Sequence, residues 1–443
     1  MQPQGKYDIA IVGAGITGLT LGQLLTERGF KVLIIEREQT IGGLARSFIY
    51  PTGVFDIGPH RFHTDQPAVE TLIRSVLAQE AITISRRSSV HFYGLRHPWP
   101  IRLRTVLRLP LKFLCQAFFD LFTRPRFTPD MKSFAQYVTS KYGKTLYNLF
   151  FHDYSLKFCR IPPDRLHCDW AMTGVDRAII DKRLQMNNLF DTLRMSLLPK
   201  PVQSLFIYPR QGCQVFADRL AANIRRSGGT ILTGTDIARI HKRRRHITSI
   251  DCRDKRFHVK RLVWTGDIHD LVRLLGWQDA DLPYLNMVLF NIITRRDPGV
   301  PDQWVYYGEK ELSFTRISFP HNFSPYLFPA GHFGLCVEVT VKDPRLWQEP
   351  EAFQEQVLAD VSRLDLVAPN DISAIHIEKI TNAYPIYHIH YRRELDIIRR
   401  QAAEWPNLYL SGRTGSFFYN NMDNSIDMAQ ELSLRIAEDA GKE

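Results

Sequence analysis

IVGAGITGLTLGQLLTERGFKVLIIEREQTIGGLARS, residues 11–47, decides the fold. Ile9, Ala10, Ile11 and Val12 make an apolar, β-prone run. Gly13, Gly15 and Gly18 follow with G-x-G-x-x-G spacing, and Leu19, Leu21, Leu24 and Leu25 then set a helical pattern. In that order of strand, tight turn and helix, a pyrophosphate can rest on the free N–H groups and positive end of the new helix. The helix closes near Gly29, and Lys31–Ile35 read as a buried parallel strand ending on Glu36, eighteen residues beyond Gly18. A carboxylate there accepts ribose hydroxyls. These features predict a dinucleotide-binding α/β unit.

The continuation bears on which dinucleotide. Arg37 lies just beyond the ribose position, and Gly42, Gly43 and Leu44 form a second flexible turn that gives a long cofactor another backbone contact. The pair of glycines resembles the signature of FAD proteins of the glutathione-reductase and amine-oxidase superfamily. That resemblance favours FAD over NAD.

The 443 residues suggest two or three domains, and 44% hydrophobic with 23% charged residues is ordinary globular composition. A net charge of +11 points to an anionic ligand or surface. The six cysteines show no C-x-x-C pair and no zinc spacing, so neither disulfides nor a metal site is expected. The polar N-terminus lacks a signal-peptide pattern, and no apolar run approaches a membrane span; a cytoplasmic setting fits. The segment Leu95–Phe122 mixes Arg96, Arg102, Arg104 and Arg108 with Leu, Phe and Trp. It reads either as a basic surface touching lipid, a peripheral membrane contact, or as core-facing helices with a solvated basic side. HKRRRH, residues 241–246, lacks interleaved aromatics and reads as an exposed hairpin turn, with no nucleic acid bound. Nothing in the sequence sets an oligomeric state.

Along the chain the pattern is α/β to about residue 96, helical over 97–202, α/β again over 203–270, strand-rich over 271–380 and α/β over 381–443. The expected architecture is therefore a discontinuous Rossmann-like FAD-binding domain (1–96, 203–270, 381–443). It is interrupted by a helical insertion and by a β-sheet substrate domain.

Four further motifs carry a more specific resemblance. FDIGPHRFHT (55–64), SFTRISFPHNF (313–323), AYPIY (383–387) and LYLSGRTGSFFYNNMDNSIDMA (408–429) are similar, in order and approximate spacing, to motifs of UDP-galactopyranose mutases. The resemblance implies that His60 and His63 lie on a loop against the flavin ring. It also implies that Arg316 and Arg413, with hydroxyls from Tyr384 and Tyr419, hold the substrate diphosphate. The family's mobile-loop arginine is matched loosely by Lys182 or Arg183, ahead of Asn187 and Asn188, and Arg183 is carried over as substrate-binding; the family's tryptophan beside the uracil is Cys159 here. From the residues themselves, Gly412 and Arg413 fall at a strand end, and Met422, Asp423 and Asn424 precede a helix that Asp423 or Asn424 is expected to cap, its N–H groups facing the flavin. Arg316 reads either as an anion ligand or as a buried ion-pair partner.

In that family the reduced flavin acts as a nucleophile on the anomeric carbon, the nucleotide leaves and returns, and no net redox occurs. The expected activity is thus a mutase-like isomerisation of a nucleotide-activated sugar in polysaccharide biosynthesis, with NAD(P)H or another reductant keeping the flavin reduced. The alternative is an oxidase or desaturase of the amine-oxidase superfamily.

Overall fold

The computed structural model describes residues 3–92, 94–99, 109–126, 128, 131–173, 205–341 and 343–442. Arg183, Asn187 and Asn188 lie outside them, as does the basic part of Leu95–Phe122 from residue 100 to 108.

Pro3–Val12 lies between two parallel neighbours, Val32–Ile35 and Lys255–Trp264, and Thr230–Leu232 extends the sheet beyond Val32–Ile35. Its strands are buried on both faces: Ile9, Ala10 and Ile11 are fully enclosed, as is the whole of Val32–Ile35. Such burial explains their unbroken apolar runs. The long strand Lys255–Trp264 changes partner along its length. Its first residues pair antiparallel with His246–Cys252, while Leu262–Trp264 pair in parallel with Leu408–Leu410. Ile237–Arg243 and His246–Cys252 form the hairpin read from HKRRRH, with Arg244 at φ +56° in its turn. Helix Ile16–Glu27 packs against Gln214–Arg226 and Met422–Gly441, which brings the two ends of the chain together.

The second sheet runs, in spatial order, Ile372–Pro385, Tyr284–Thr294, Phe333–Thr340, Arg316–Ser318, Trp304–Tyr307, Ser88–Phe92 and Leu95–Pro98. All its pairs are antiparallel except Trp304–Tyr307 with Ser88–Phe92. Ser88–Phe92, Leu95–Pro98 and the end of Ile372–Pro385 thus belong to this sheet, whereas the sequence placed residues up to 96 and from 381 with the nucleotide unit. The sheet is covered on both sides. Leu285, Met287, Leu289 and Ile293 join the core shared with the nucleotide unit, while Val288, Phe290 and Ile292 join a separate core. Covering both sides hides the period-two alternation that would have marked the strand.

Helices Leu111–Thr123, Phe134–Tyr142 and Asp153–Cys159 occupy the expected helical region. Leu111–Thr123 packs Phe113 against the core and buries Ala117, while Leu111, Phe118, Phe119 and Phe122 are exposed. No helix among the described residues is long and apolar enough to cross a membrane. Cys115, Cys159, Cys168, Cys213, Cys252 and Cys336 are all free thiols.

Candidate functional site

A cradle of about 210 Å3 opens at the carboxyl ends of Pro3–Val12, Val32–Ile35, Lys255–Trp264 and Leu408–Leu410, where α/β sheets receive ligands. The three glycines of the turn divide its construction. Gly13 has φ +99°, and a Cβ there would meet Thr265 Oγ1 at 2.5 Å; one on Gly18 would meet the Gly13 carbonyl at 2.0 Å. These two let the turn close. A Cβ on Gly15 would meet nothing within 4 Å, because Gly15 faces the open cradle. As N-cap of Ile16–Glu27, Gly15 supplies no side-chain cap, so the first N–H groups of that helix remain available to a ligand. The second turn packs on the first: the Gly42 N–H donates to Ala14 O at 2.8 Å, and Gly43 approaches Gly15 closely enough that its Cβ would lie 3.1 Å from the Gly15 Cα.

Glu36 is buried at the cradle wall, and its carboxylate accepts from the N–H groups of Ala14 (2.7 Å) and Glu38 (3.0 Å). It therefore fixes the Gly-rich turn, at the position where the sequence reading expects the ribose. Arg37 also lines the cradle and pairs with Asp270 at 3.3 Å. Gly43, Leu44, Gly412, Arg413 and Met422 complete the expected set. Asp423 does not line it. The cap of Met422–Gly441 is Asn421, whose side chain accepts from the N3 backbone N–H while the Asn424 side chain accepts from Asn421 N–H at 3.3 Å. Asp423 is instead the second residue of the helix, an acidic side chain within its first turn.

Beside the cradle lies a junction of about 100 Å3, lined by His60, Arg61, Arg316, Tyr384, Arg413 and Tyr419 among others. It leads to a cavity of about 570 Å3 walled by Tyr154, Phe158, Trp170 and Tyr306, which Arg316, Tyr384 and Tyr419 also line. Four separate segments supply the six named junction side chains. The histidine loop is anchored by Asp56, a buried carboxylate that accepts from Ser47 Oγ (2.6 Å), Tyr208 Oη (2.6 Å) and Cys213 N–H (2.9 Å). Gly58, at φ +72°, lets the loop press on the Arg316–Glu338 pair, since a Cβ there would meet Glu338 Oε1 at 2.8 Å. His60 lines both cradle and junction, and its Nδ1 is buried with no hydrogen-bond partner. Burial, reinforced by Arg413, Arg61 and Arg316, pushes its pKa down to about 3, so the ring is neutral. His63 points elsewhere: its Nδ1 lies 3.2 Å from Leu205 O and its ring packs on Phe206, outside both cavities and the junction. Phe62, between them, is fully buried, and the loop's turn sends the second histidine to the other side.

Arg316 combines the two readings the sequence left open. It stands directly opposite Glu338 across neighbouring strands. Its Nε and Nη2 each donate to a Glu338 carboxylate oxygen at 2.6 Å, and Nη2 also donates to Tyr384 Oη at 3.2 Å. Much of its planar fork is already engaged, and the remaining edge meets the junction. Arg413 donates Nη1 to Ala383 O at 2.9 Å and Nη2 to Asn420 O, leaving its charge without a carboxylate in these contacts, and its guanidinium lies over Tyr384 and Tyr419. Burial raises the pKa of Tyr154 and Tyr419, keeping both hydroxyls as donors. Cys159, at the expected tryptophan position, is buried and does not line the large cavity; Trp170, stacked on Tyr419 at 5.2 Å, is an aromatic wall instead.

Sequence reasoning missed Arg61, Glu338, Tyr306 and Trp170. Arg61 was visible inside the quoted histidine motif; Glu338 sits in an apolar run, and neither Tyr306 nor Trp170 belongs to a motif. His167, Cys168 and Asp169 cluster nearby, but the Asp169 carboxylate is taken by Arg392 (2.7 Å twice) and Tyr391.

Among curated proteins, a probable UDP-galactopyranose mutase of Klebsiella pneumoniae is 28% identical over 165 residues, covering 36% of this chain and 42% of that protein. A dTDP-fucopyranose mutase of Escherichia coli is 26% identical over 164 residues, covering 36% and 43%. The chain thus matches less than half the length of these relatives. Among solved structures, reduced UDP-galactopyranose mutase superimposes with a TM-score of 0.83 over 98% of this chain and 96% of the other, at 20% identity. A putative protoporphyrinogen oxidase from Exiguobacterium sp. 255-15 does so with a TM-score of 0.76 over 98% and 99%, at 17% identity. Both have this fold. Residues 16–427 match the family described as flavin containing amine oxidoreductase; the chain belongs to that family, and its cofactor is FAD.

Proposed function

We propose that the protein isomerises a nucleotide-activated sugar between ring forms, with FAD as cofactor, in polysaccharide biosynthesis. The observation that carries this reading is the junction: guanidinium and tyrosine donors converge between a cradle fit for a dinucleotide and an aromatic-walled cavity large enough for a nucleotide.

The cradle suits the cofactor. Gly15 leaves open the volume a Cβ would occupy, over an uncapped helix start. In this reading Gly13, Gly15 and Gly18 shape the pyrophosphate seat, Glu36 and Arg37 receive the adenosine ribose, and Gly43, Leu44, Gly412, Arg413 and Met422 border the rest. A bound flavin supplies a nucleophilic ring nitrogen when reduced and a hydride acceptor when oxidised. Arg316, Arg413, Tyr384 and Tyr419 bind the diphosphate, holding the departing nucleotide close enough to return. Tyr154, Phe158, Trp170 and Tyr306 enclose the base and exclude water. Neutral His60 offers Nδ1 for one hydrogen bond at the sugar end and, with its depressed pKa, supplies no imidazolium near neutral pH. A polysaccharide role follows from the chemistry of the product, an activated sugar ready for transfer.

Similarity to mutases such as those from Klebsiella pneumoniae and Escherichia coli supports the reading. An amine substrate fits poorly, because a cation entering the junction meets Arg61, Arg316 and Arg413. The test is to incubate dithionite-reduced protein with nucleotide sugars and follow the anomeric protons by NMR. Pyranose–furanose interconversion without oxygen uptake is expected. Turnover only with oxygen or a quinone, with the substrate oxidised, would replace this reading with the oxidase.

A further inference from the structure

Helix Leu111–Thr123 is anchored along one side. Phe113 packs against the core, Ala117 is buried, and the Asp120 carboxylate accepts from Thr145 N–H at 2.5 Å. At 3.6 residues per turn these three share one side of the helix. Leu111, Cys115, Phe118, Phe119 and Phe122 fall on the opposite side, within an arc of about 100°. All five are exposed, the three phenylalanines by 59%, 65% and 66%, and Phe118 packs edge-on against Phe122 with ring centres 5.3 Å apart. Contiguous exposed apolar surface rimmed by polar residues marks an interaction site.

The charge around the stripe says what it meets. Arg102, Arg104 and Arg108 stand just ahead of the helix in sequence, Lys112 is exposed within it, and Arg124 and Arg126 follow it. From Arg96 to Arg126 the sequence has a single acidic residue, Asp120, and its carboxylate is held on the anchored side. An aromatic face with cations around it is the composition of a helix lying in the plane of an anionic membrane surface. A second copy of this chain would set one basic run against another, in a molecule already at +11. An anionic bilayer receives the rings and neutralises the charge together. With 13 residues the helix is about 20 Å long, too short to cross the hydrocarbon core.

We propose that Leu111–Thr123 docks the protein on an anionic phospholipid bilayer, with Phe118, Phe119 and Phe122 entering the interface and the flanking cations meeting the headgroups. The proposal is independent of the substrate reading. The helix packs on Lys144–Leu146, which runs directly into Tyr147–His152, and Phe150 and Phe151 of that segment line the large cavity. The docked surface therefore stands one layer of helix from that cavity.

The test is sedimentation of FAD-loaded protein with vesicles of phosphatidylcholine, alone or with one quarter phosphatidylglycerol. The wild type should bind the anionic vesicles about tenfold or more tighter than the neutral ones, and less tightly at raised salt. Phe118→Ser, Phe119→Ser and Phe122→Ser combined should weaken that binding about tenfold or more, with FAD content and flavin spectrum unchanged. Because the other five cysteines are buried, Cys115 takes an environment-sensitive fluorophore selectively, and its emission should shift to the blue on anionic vesicles. Equal affinities for the two vesicle types, or binding to neither, overturn the proposal. So does binding that survives the triple variant, or an unshifted Cys115 label on bound protein, since either puts the contact on another face. A wild-type dimer in light scattering that the triple variant dissociates, without vesicle binding, also overturns it and assigns the stripe to a second copy. Should the triple variant fail to fold, Phe119→Ser alone and the Cys115 label decide.

Discussion

The cradle and the junction beside it are built from different materials. The cradle is mostly main chain: two glycine turns lock together through Gly42 N–H to Ala14 O, and a single carboxylate, Glu36, ties the first turn to the second strand. The junction is mostly side chain, with His60 and Arg61 from a loop, Arg316 from a strand, Tyr384 from the end of another, and Arg413 with Tyr419 from the last segment. A site made of backbone needs neighbouring residues in one order. A site made of side chains needs remote segments delivered by the fold and held by their own packing, so damage to the two should register differently.

The largest effect is expected at the junction. Arg316→Met would leave Glu338, whose side chain is 0% exposed, as an uncompensated buried charge, costing about 3–5 kcal/mol in a urea unfolding experiment. The paired change Arg316→Met with Glu338→Leu should recover most of that stability without restoring ligand binding. If the single variant is as stable as the wild type, the junction does not depend on this pair.

In the cradle the effect should appear in cofactor retention. Glu36→Ala removes the acceptor of Ala14 N–H and Glu38 N–H and, on the proposed assignment, that of the ribose hydroxyls, and should weaken FAD binding by about 1.5–3 kcal/mol, measurable as flavin lost on dialysis. Full occupancy after dialysis would count against the assignment.

Gly18→Ala and Gly15→Ala sharpen the contrast within a single turn. The first forces a Cβ to 2.0 Å from the Gly13 carbonyl and should destabilise even the FAD-free protein by about 1–3 kcal/mol. The second has open space and should leave the FAD-free protein within about 0.5 kcal/mol of wild type, yet reduce FAD occupancy. Equal behaviour of the two would contradict the division of labour among the glycines.

A further prediction concerns pH. His60 has its pKa pushed down to about 3 by burial and then by Arg413, Arg61 and Arg316, whereas the unfolded chain titrates near 6.5. The unfolded state therefore takes up a proton that the folded state refuses. His60's contribution to stability is complete above about pH 6.5 and declines as pH falls from there toward 3. Urea midpoints measured between pH 7 and pH 4 should fall less steeply in His60→Gln than in the wild type; parallel curves would show that His60 is solvated.

The sequence by itself determined the nucleotide unit. The G-x-G-x-x-G turn, Glu36 at the end of the second strand and the Gly42–Gly43 pair are local, contiguous features, and each sits at the cradle where its spacing placed it. Motif order also brought Arg316, Tyr384, Arg413 and Tyr419 to one junction. What only the tertiary structure decided lies in pairs that no local pattern records. Glu338 occupies an otherwise apolar strand, yet cross-strand register sets it against Arg316 and uses up much of that fork. His63 shares a motif with His60 but turns away, because Phe62 enters the core between them. Asn421 takes the capping role read for Asp423 or Asn424, because the helix begins at Met422 rather than later. Backbone conformation follows from adjacent residue types and so can be read along the chain. Which side chains meet depends on register and loop path, which are set by packing across hundreds of residues.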